Sequence, residues 1–366
     1  MNLFRPALEG LVPYEPGKPE EELQRELGLE RVVKLASNEG PWGPFPAALE
    51  AMERCAGSLN RYPDGGAFHL RNALADRHGV TPAEVITAAG ADAIIGHLSV
   101  AALDPGDEIV TGWPSFISYV LDALKLGAIP QRVPLRDDHL DLDAMLAAIG
   151  PRTKLVYIAT PNNPTGTMTG RAALDAYFER VPEHVLTVID QAYFEYIEEP
   201  DYPDAIEEYL KRGRRVLVLR TFSKIYGLAG LRVGYGVGGP DVIQGISKVR
   251  RAFDVNTQAQ VAALASLDEV AELERRRRLT TEGRETMRRT LSEYGLEPAG
   301  PAVANFLFAE AGDDAGPLFE ALLRQGAIVR PVGAFGAPGA LRITVGTPDE
   351  NAFFAQALAS VRAAMT

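Results

Sequence analysis

Short apolar runs alternate with amphipathic stretches from about residue 36 to residue 260. The runs Val85 to Thr87, Glu108 to Thr111, Ile129 to Val133, Leu155 to Ala159, Leu186 to Asp190, Val216 to Arg220 and Arg232 to Val237 read as strands. Strands interleaved with helices predict an α/β fold, a mainly parallel seven-stranded sheet wrapped by helices. The pattern then changes. A long polar helix from about Ser266 to Glu293 is followed by Asn305 to Phe308, a helix near Pro317 to Gln325, Ile328 to Arg330, Leu341 to Thr344 and a last helix from Asp349, a smaller α+β unit. The first 35 residues are rich in Pro, Gly and charge, with a short amphipathic helix near Glu20 to Leu27, and read as an arm packing on the body. The expected division is 1–35, 36–260 and 261–366.

Composition narrows the class. A chain of 366 residues buries about three quarters of its unfolded surface, enough for one large domain and a smaller one without staples. The single cysteine, Cys55, cannot pair within the chain, and the five histidines lack zinc-like spacing, so no metal site is expected and a reducing cytoplasm is. The start shows no basic region leading into an apolar core, and no apolar run approaches the ~20 residues of a membrane span, so a soluble, unexported protein is expected. A formal net charge of -12 opposes binding to nucleic acid. The basic run Arg275 to Arg278 sits among Glu272, Glu274 and Glu282 and reads as a solvated or subunit-facing helix.

Candidate chemistry gathers at strand ends. Lys224 is one of seven lysines, and the only one that follows an apolar strand and leads into a Gly-rich turn. An ammonium that is poorly solvated there loses its proton readily, and the neutral amine can attack an aldehyde. Asp190 ends the strand Leu186 to Asp190, at the carboxyl edge where open parallel sheets collect ligands. The segment Thr160 to Gly166 gives a rigid loop from which Asn163 can be aimed. Gly90-Ala91-Asp92 opens a helix after a strand, an arrangement of N–H groups suited to phosphate, and Arg232 could add a charged fork. Gly234 to Gly239 satisfies the dinucleotide glycine pattern, but its glycines alternate with Tyr235 and Val237 as in a strand.

Taken with Tyr14 to Lys18, Leu35 to Glu39, Arg61 to Asp64, Pro161 to Gly166, Asp190 to Tyr193, Thr221 to Lys224, Gly227 to Arg232 and Leu341 to Gly346, the chain resembles the fold type I enzymes dependent on pyridoxal 5'-phosphate, and among them the histidinol-phosphate aminotransferases. The resemblance implies that Lys224 holds the cofactor as a Schiff base and that Asp190 pairs with the ring nitrogen. Asn163 and Tyr193 would bond the ring's phenolic oxygen and Phe116 would stack on it. Gly90, Ala91, Asp92, Thr221, Ser223 and Arg232 would hold the phosphate, with Tyr62 reaching in from the second subunit of a homodimer. Arg342 would hold the substrate's anionic end, in a pocket lined by Tyr14, Asn38, Tyr62, Asn163 and Arg330. The implied reaction exchanges an amino group between L-histidinol phosphate and 2-oxoglutarate, giving L-glutamate. The chain departs from the family pattern at Gly40, Ala89, Ala93 and Arg251 to Asp254, and it carries Trp42 and Phe45 where smaller or polar residues are usual. Those aromatics keep an aromatic amino acid aminotransferase open as the alternative.

Overall fold

A computed structural model describes residues 3–9, 11 and 19–365. Among them run twelve strands: β1 (Val33–Lys34), β2 (Val85–Ala88), β3 (Glu108–Trp113), β4 (Ile129–Pro134), β5 (Thr153–Ala159), β6 (Leu186–Asp190), β7 (Val216–Thr221), β8 (Gly234–Gly238), β9 (Phe306–Glu310), β10 (Ala327–Ile328), β11 (Arg330–Val332) and β12 (Ala337–Thr344). Seven of these form one sheet in the order β2-β8-β7-β6-β5-β3-β4. Only β8 runs against its neighbours, so the sheet is mainly parallel as expected.

Alternate residues of the central strands feed two separate apolar layers, because successive side chains of a strand point to opposite faces. Val156, Ile158, Ile189, Val216 and Val218 face helices Phe68–His78, Arg171–Phe178 and Thr257–Ser266. Leu155, Tyr157, Val188, Leu217 and Leu219 face helices Ala91–Ala102, Ile117–Leu126 and Pro240–Ser247. Burial on both faces explains the continuous apolar runs of these strands. The glycine-rich segment is strand β8, and Asp254 accepts from the Ala89 N–H at 3.2 Å, so both parts of the dinucleotide pattern have structural roles.

A third apolar cluster gathers Leu307, Ala309, Leu341 and Ile343 of the antiparallel sheet β11-β12-β9 with Met287, Leu291, Phe354 and Leu358, and Val33 and Leu35 pack into it. The structure departs from the sequence expectations at three points. The segment Ile328 to Arg330 is not one strand: β10 pairs with β1, β11 pairs with β12, and Val329 lies between the two sheets. The long polar helix starts at Val270, with a separate helix Thr257–Ser266 before it. The strand expected from Arg232 begins at Gly234, because Arg232 adopts a left-handed φ of 55°.

The basic run is not a solvated face throughout. Arg276 is 3% exposed and donates to Glu272 at 2.7 Å and to the Ile225 carbonyl at 3.0 Å, while Arg277 donates to the Glu195 carbonyl at 2.7 Å. These arginines tie the long helix to the loops after β6 and β7. No helix among the described residues is long and apolar enough to cross a membrane.

Candidate active site

The carboxyl ends of the parallel strands open on a cavity of about 670 Å³. Strand β8 is antiparallel, so its beginning lies at that same edge and brings Arg232 to it. Of the residues singled out in the sequence, Asn38, Ala91, Asp92, Phe116, Asn163, Asp190, Tyr193, Thr221, Ser223, Lys224, Arg232, Arg330 and Arg342 all line this cavity. Tyr14 lies outside the described residues. Tyr62 is elsewhere on this chain: it is 81% exposed and stacks on Phe253 with ring centroids 4.6 Å apart.

Lys224 is half-buried, with Nζ 5.5 Å from the centre of the Tyr193 ring. Burial, then the positive charges of Arg342 and Arg232, lower its pKa from 10.5 to about 8, against the opposing pull of Glu39 and Asp190. Its loop is seated tightly. A Cβ on Gly40 would lie 2.6 Å from the Lys224 carbonyl oxygen, and one on Gly227, at φ +70°, would lie 2.3 Å from the Gly43 carbonyl oxygen.

Asp190 is 8% exposed. Its Oδ2 accepts from the Tyr119 hydroxyl at 2.7 Å and its Oδ1 from the Ala192 N–H at 3.0 Å. Burial pushes its carboxyl above the usual range, while these two donors and Lys224 pull it back. Both hydrogen-bond donors are neutral, so neither brings a positive charge to the carboxyl group. Tyr193 accepts from Asn38 Nδ2 at 3.0 Å, and burial raises its hydroxyl to about 12 despite Arg342 and Asn38. It therefore keeps its proton at neutral pH.

At the start of helix Ala91–Ala102 no side chain caps the free N–H groups. The Gly90 N–H donates to the Ala88 carbonyl at 2.7 Å, so Gly90 contributes room rather than a donor: a Cβ there would lie 2.6 Å from an Arg232 nitrogen. Asp92 is exposed at this helix start. Arg232 donates to Ser223 Oγ at 3.4 Å and to the Ala229 carbonyl at 3.2 Å, both neutral, which leaves its charge for an anion. Thr221, Ser223, Arg232 and the helix start thus gather hydroxyl, guanidinium and N–H donors at one end of the cavity, an arrangement suited to an anion.

Arg342 is 4% exposed and donates to Asn163 Oδ1 at 2.6 Å and to the Ala36 carbonyl at 2.7 Å. Arg330 is its direct partner in the β11–β12 register, which puts two guanidinium groups on one face. Like charges directly opposite repel, so an anion between them would stabilise the pair. Trp42 and Phe45 do not reach the cavity. Phe45 is fully buried against Tyr226, and Trp42 lies beside Arg275 and Arg276.

Among the cavity residues that sequence reasoning missed, two are aromatic. Tyr119 follows Phe116 by three positions, so the helix that Phe116 caps brings both to one face, a spacing visible in the sequence. Phe335 sits in a short turn between β11 and β12, where no local pattern marks it.

A profile of the family described as aminotransferase class I and II matches residues 30–358. The chain belongs to this aminotransferase family. Among curated aminotransferases it is 44% identical to the histidinol-phosphate aminotransferase of Moorella thermoacetica, over 98% of this chain and 93% of that protein. It is 43% identical to histidinol-phosphate aminotransferase 2 of Carboxydothermus hydrogenoformans, over 98% and 99%. Among solved structures it superposes on the histidinol-phosphate aminotransferase of Sinorhizobium meliloti in complex with pyridoxal-5'-phosphate, with TM-score 0.91, 29% identity and coverage of 100% and 99%. A Thermus thermophilus aspartate aminotransferase double mutant superposes with TM-score 0.84 and 26% identity over 99% of this chain and 100% of that one. The α/β fold is that of these enzymes.

Proposed function

We propose that this aminotransferase uses pyridoxal 5'-phosphate to exchange an amino group between L-histidinol phosphate and 2-oxoglutarate. The observation that carries the substrate reading is the Arg330–Arg342 pair, set across adjacent strands and lining the cavity that holds Lys224. A substrate anion, the phosphate of the donor or a carboxylate of the acceptor, would sit between two planar forks. The full-length similarity to histidinol-phosphate aminotransferases supports the same reading.

The residues present fit the cofactor. Lys224 would hold its aldehyde carbon and Asp190 its ring nitrogen. Asn163 and Tyr193 would bond its phenolic oxygen, and Phe116 would cover one ring face. Ala91, Asp92, Thr221, Ser223 and Arg232 would hold its phosphate. When bound, pyridoxal phosphate supplies a cationic ring that draws off the electron pair left when the substrate's Cα loses its proton. The chain's own groups do the rest. With a pKa near 8, about one Lys224 amine in ten is neutral at pH 7, compared with roughly one in three thousand for an ordinary lysine. Lys224 Nζ, as a neutral amine, would take the Cα proton and return it as a general base and acid. Tyr193, still protonated, donates a hydrogen bond in the cavity, and Asn38 keeps its hydroxyl in place.

We also assign residues 36–260 to a cofactor-binding domain and 261–366 to a smaller one, with 1–35 as an arm reaching the small domain and a partner subunit. The exposed Tyr62–Phe253 stack supports a homodimer in which Tyr62 serves the other copy's site. A cytoplasmic location goes with the single cysteine. The aromatic amino acid alternative rested on Trp42 and Phe45, which do not line the cavity.

The test is a donor panel with 2-oxoglutarate as acceptor, comparing histidinol phosphate with phenylalanine, tyrosine and histidine. We expect histidinol phosphate to lead in kcat/KM by at least about tenfold, or ~1.4 kcal/mol. A tenfold lead for an aromatic amino acid would overturn the substrate assignment.

A further inference from the structure

We propose that Tyr119 is a positioning residue that sets how strongly Asp190 holds a cationic ring nitrogen, acting through its hydrogen bond to Asp190 Oδ2. This rests on the cofactor reading above.

Tyr119 is fully buried, and its hydroxyl donates to Asp190 at 2.7 Å. Its ring is fixed on two sides. It stacks on Tyr157 with centroids 4.4 Å apart and planes at 11°, and meets Phe116 edge-on at 5.5 Å and 80°. One residue thus joins the acid to the aromatic ring proposed to cover the cofactor. Tyr157 is anchored in β5 and Asp190 ends β6, and the two strands are paired in parallel, so the acceptor and the ring on which the donor stacks are held by adjacent strands of one sheet.

A charge-assisted hydrogen bond draws on the carboxylate's negative charge and makes it a weaker base. The proton shared between Asp190 and a ring nitrogen then stays on the ring. Without the donor, the carboxylate would pull that proton towards itself, the ring would carry less positive charge, and the Cα proton would be harder to remove. Burial pushes the Tyr119 hydroxyl well above its ordinary range, so it remains a donor throughout the working pH range. The other titratable groups acting on Asp190 are Lys224 and Asp92, with Tyr157, Tyr193 and Tyr202 also within electrostatic reach. Its carboxylate oxygens accept from the Tyr119 hydroxyl and the Ala192 N–H.

The test compares wild type, Tyr119→Phe and Tyr157→Phe, each loaded with pyridoxal phosphate. Three readings are made: the pH midpoint of the visible absorbance band, kcat and KM for the amino donor, and the thermal midpoint. Tyr119→Phe keeps the ring and its stacking. We expect its absorbance midpoint to rise by about half a pH unit or more and kcat to fall about tenfold, with KM changed less than about twofold. Tyr157→Phe, which removes a hydroxyl not bonded to Asp190, should leave the absorbance midpoint in place. An unchanged midpoint in Tyr119→Phe, or an equal shift in Tyr157→Phe, would overturn the role of Tyr119 while leaving the cofactor reading intact. Absence of any visible band from the wild type would overturn both.

Discussion

Replacing Lys224 with methionine should make the cofactor-free protein more stable at neutral pH, because the fold holds this amine at a cost. Its pKa falls from 10.5 to about 8, chiefly through burial and then the repulsion of Arg342. At 1.36 kcal/mol per pH unit the charged form is disfavoured by about 3 kcal/mol, and water in the open cavity screens this to about 2 kcal/mol. The sign follows from proton counts. Between pH 8 and 10.5 the unfolded chain carries a proton here that the folded chain has released, so wild-type stability from this group rises with pH across that window. Below pH 8 both states are protonated and the full penalty stands. Methionine has no such penalty and fills similar volume. Urea unfolding of both cofactor-free proteins at one concentration should therefore show the variant about 2 kcal/mol more stable at pH 7, with the advantage shrinking towards pH 10. A variant no more stable than wild type at pH 7, or an advantage that did not shrink, would refute the claim that Lys224 is held poorly solvated.

Two further outcomes follow from the geometry. Gly234→Ala would set a Cβ 2.3 Å from the Ala91 nitrogen, against backbone that cannot yield cheaply; we expect the ratio of pyridoxal phosphate to pyridoxal affinity to fall at least about tenfold, and an unchanged ratio would remove the helix start from the proposed phosphate site. His78, bonded to Tyr235 at 3.1 Å, is lowered to a pKa of about 3 by burial and then by Arg220, so between pH 3 and 6.5 the unfolded chain binds a proton that the fold excludes and stability falls with acid. Substituting His78→Leu should flatten stability against pH between 4 and 6 by about 1.4 kcal/mol per unit, as read from urea unfolding, and parallel slopes would refute the assignment.

The strand Leu186 to Asp190 was legible to the residue, because a parallel strand buried on both faces shows as an uninterrupted apolar run. The glycine segment at 234 was legible for the opposite reason, since its alternation of small and large residues fits a strand and not a phosphate-binding turn. Short pairings were not. Val33 meets Ala327 across a two-residue ladder whose members are joined only by the packing of the whole chain, and nothing local marks Val329 as the point where one apparent strand divides. At the cavity, the polar residues at strand ends were visible individually, but their partners were not: Tyr119 reads as an ordinary core tyrosine until Asp190 is placed beside it. The burial of Arg276 was likewise hidden, because the glutamates around it give the helix the look of a solvated surface.

The seam between Gly40 and the Lys224 carbonyl, and its neighbour between Gly227 and the Gly43 carbonyl, meets backbone on the far side in both cases. A crowded contact between two side chains can be relieved by trimming either one. Here no bulk remains to trim, so a residue larger than glycine at either point has no compensating partner elsewhere in the chain. Directed evolution towards new donors would find Phe335 open to exchange, while these two glycines would return as dead ends in every lineage.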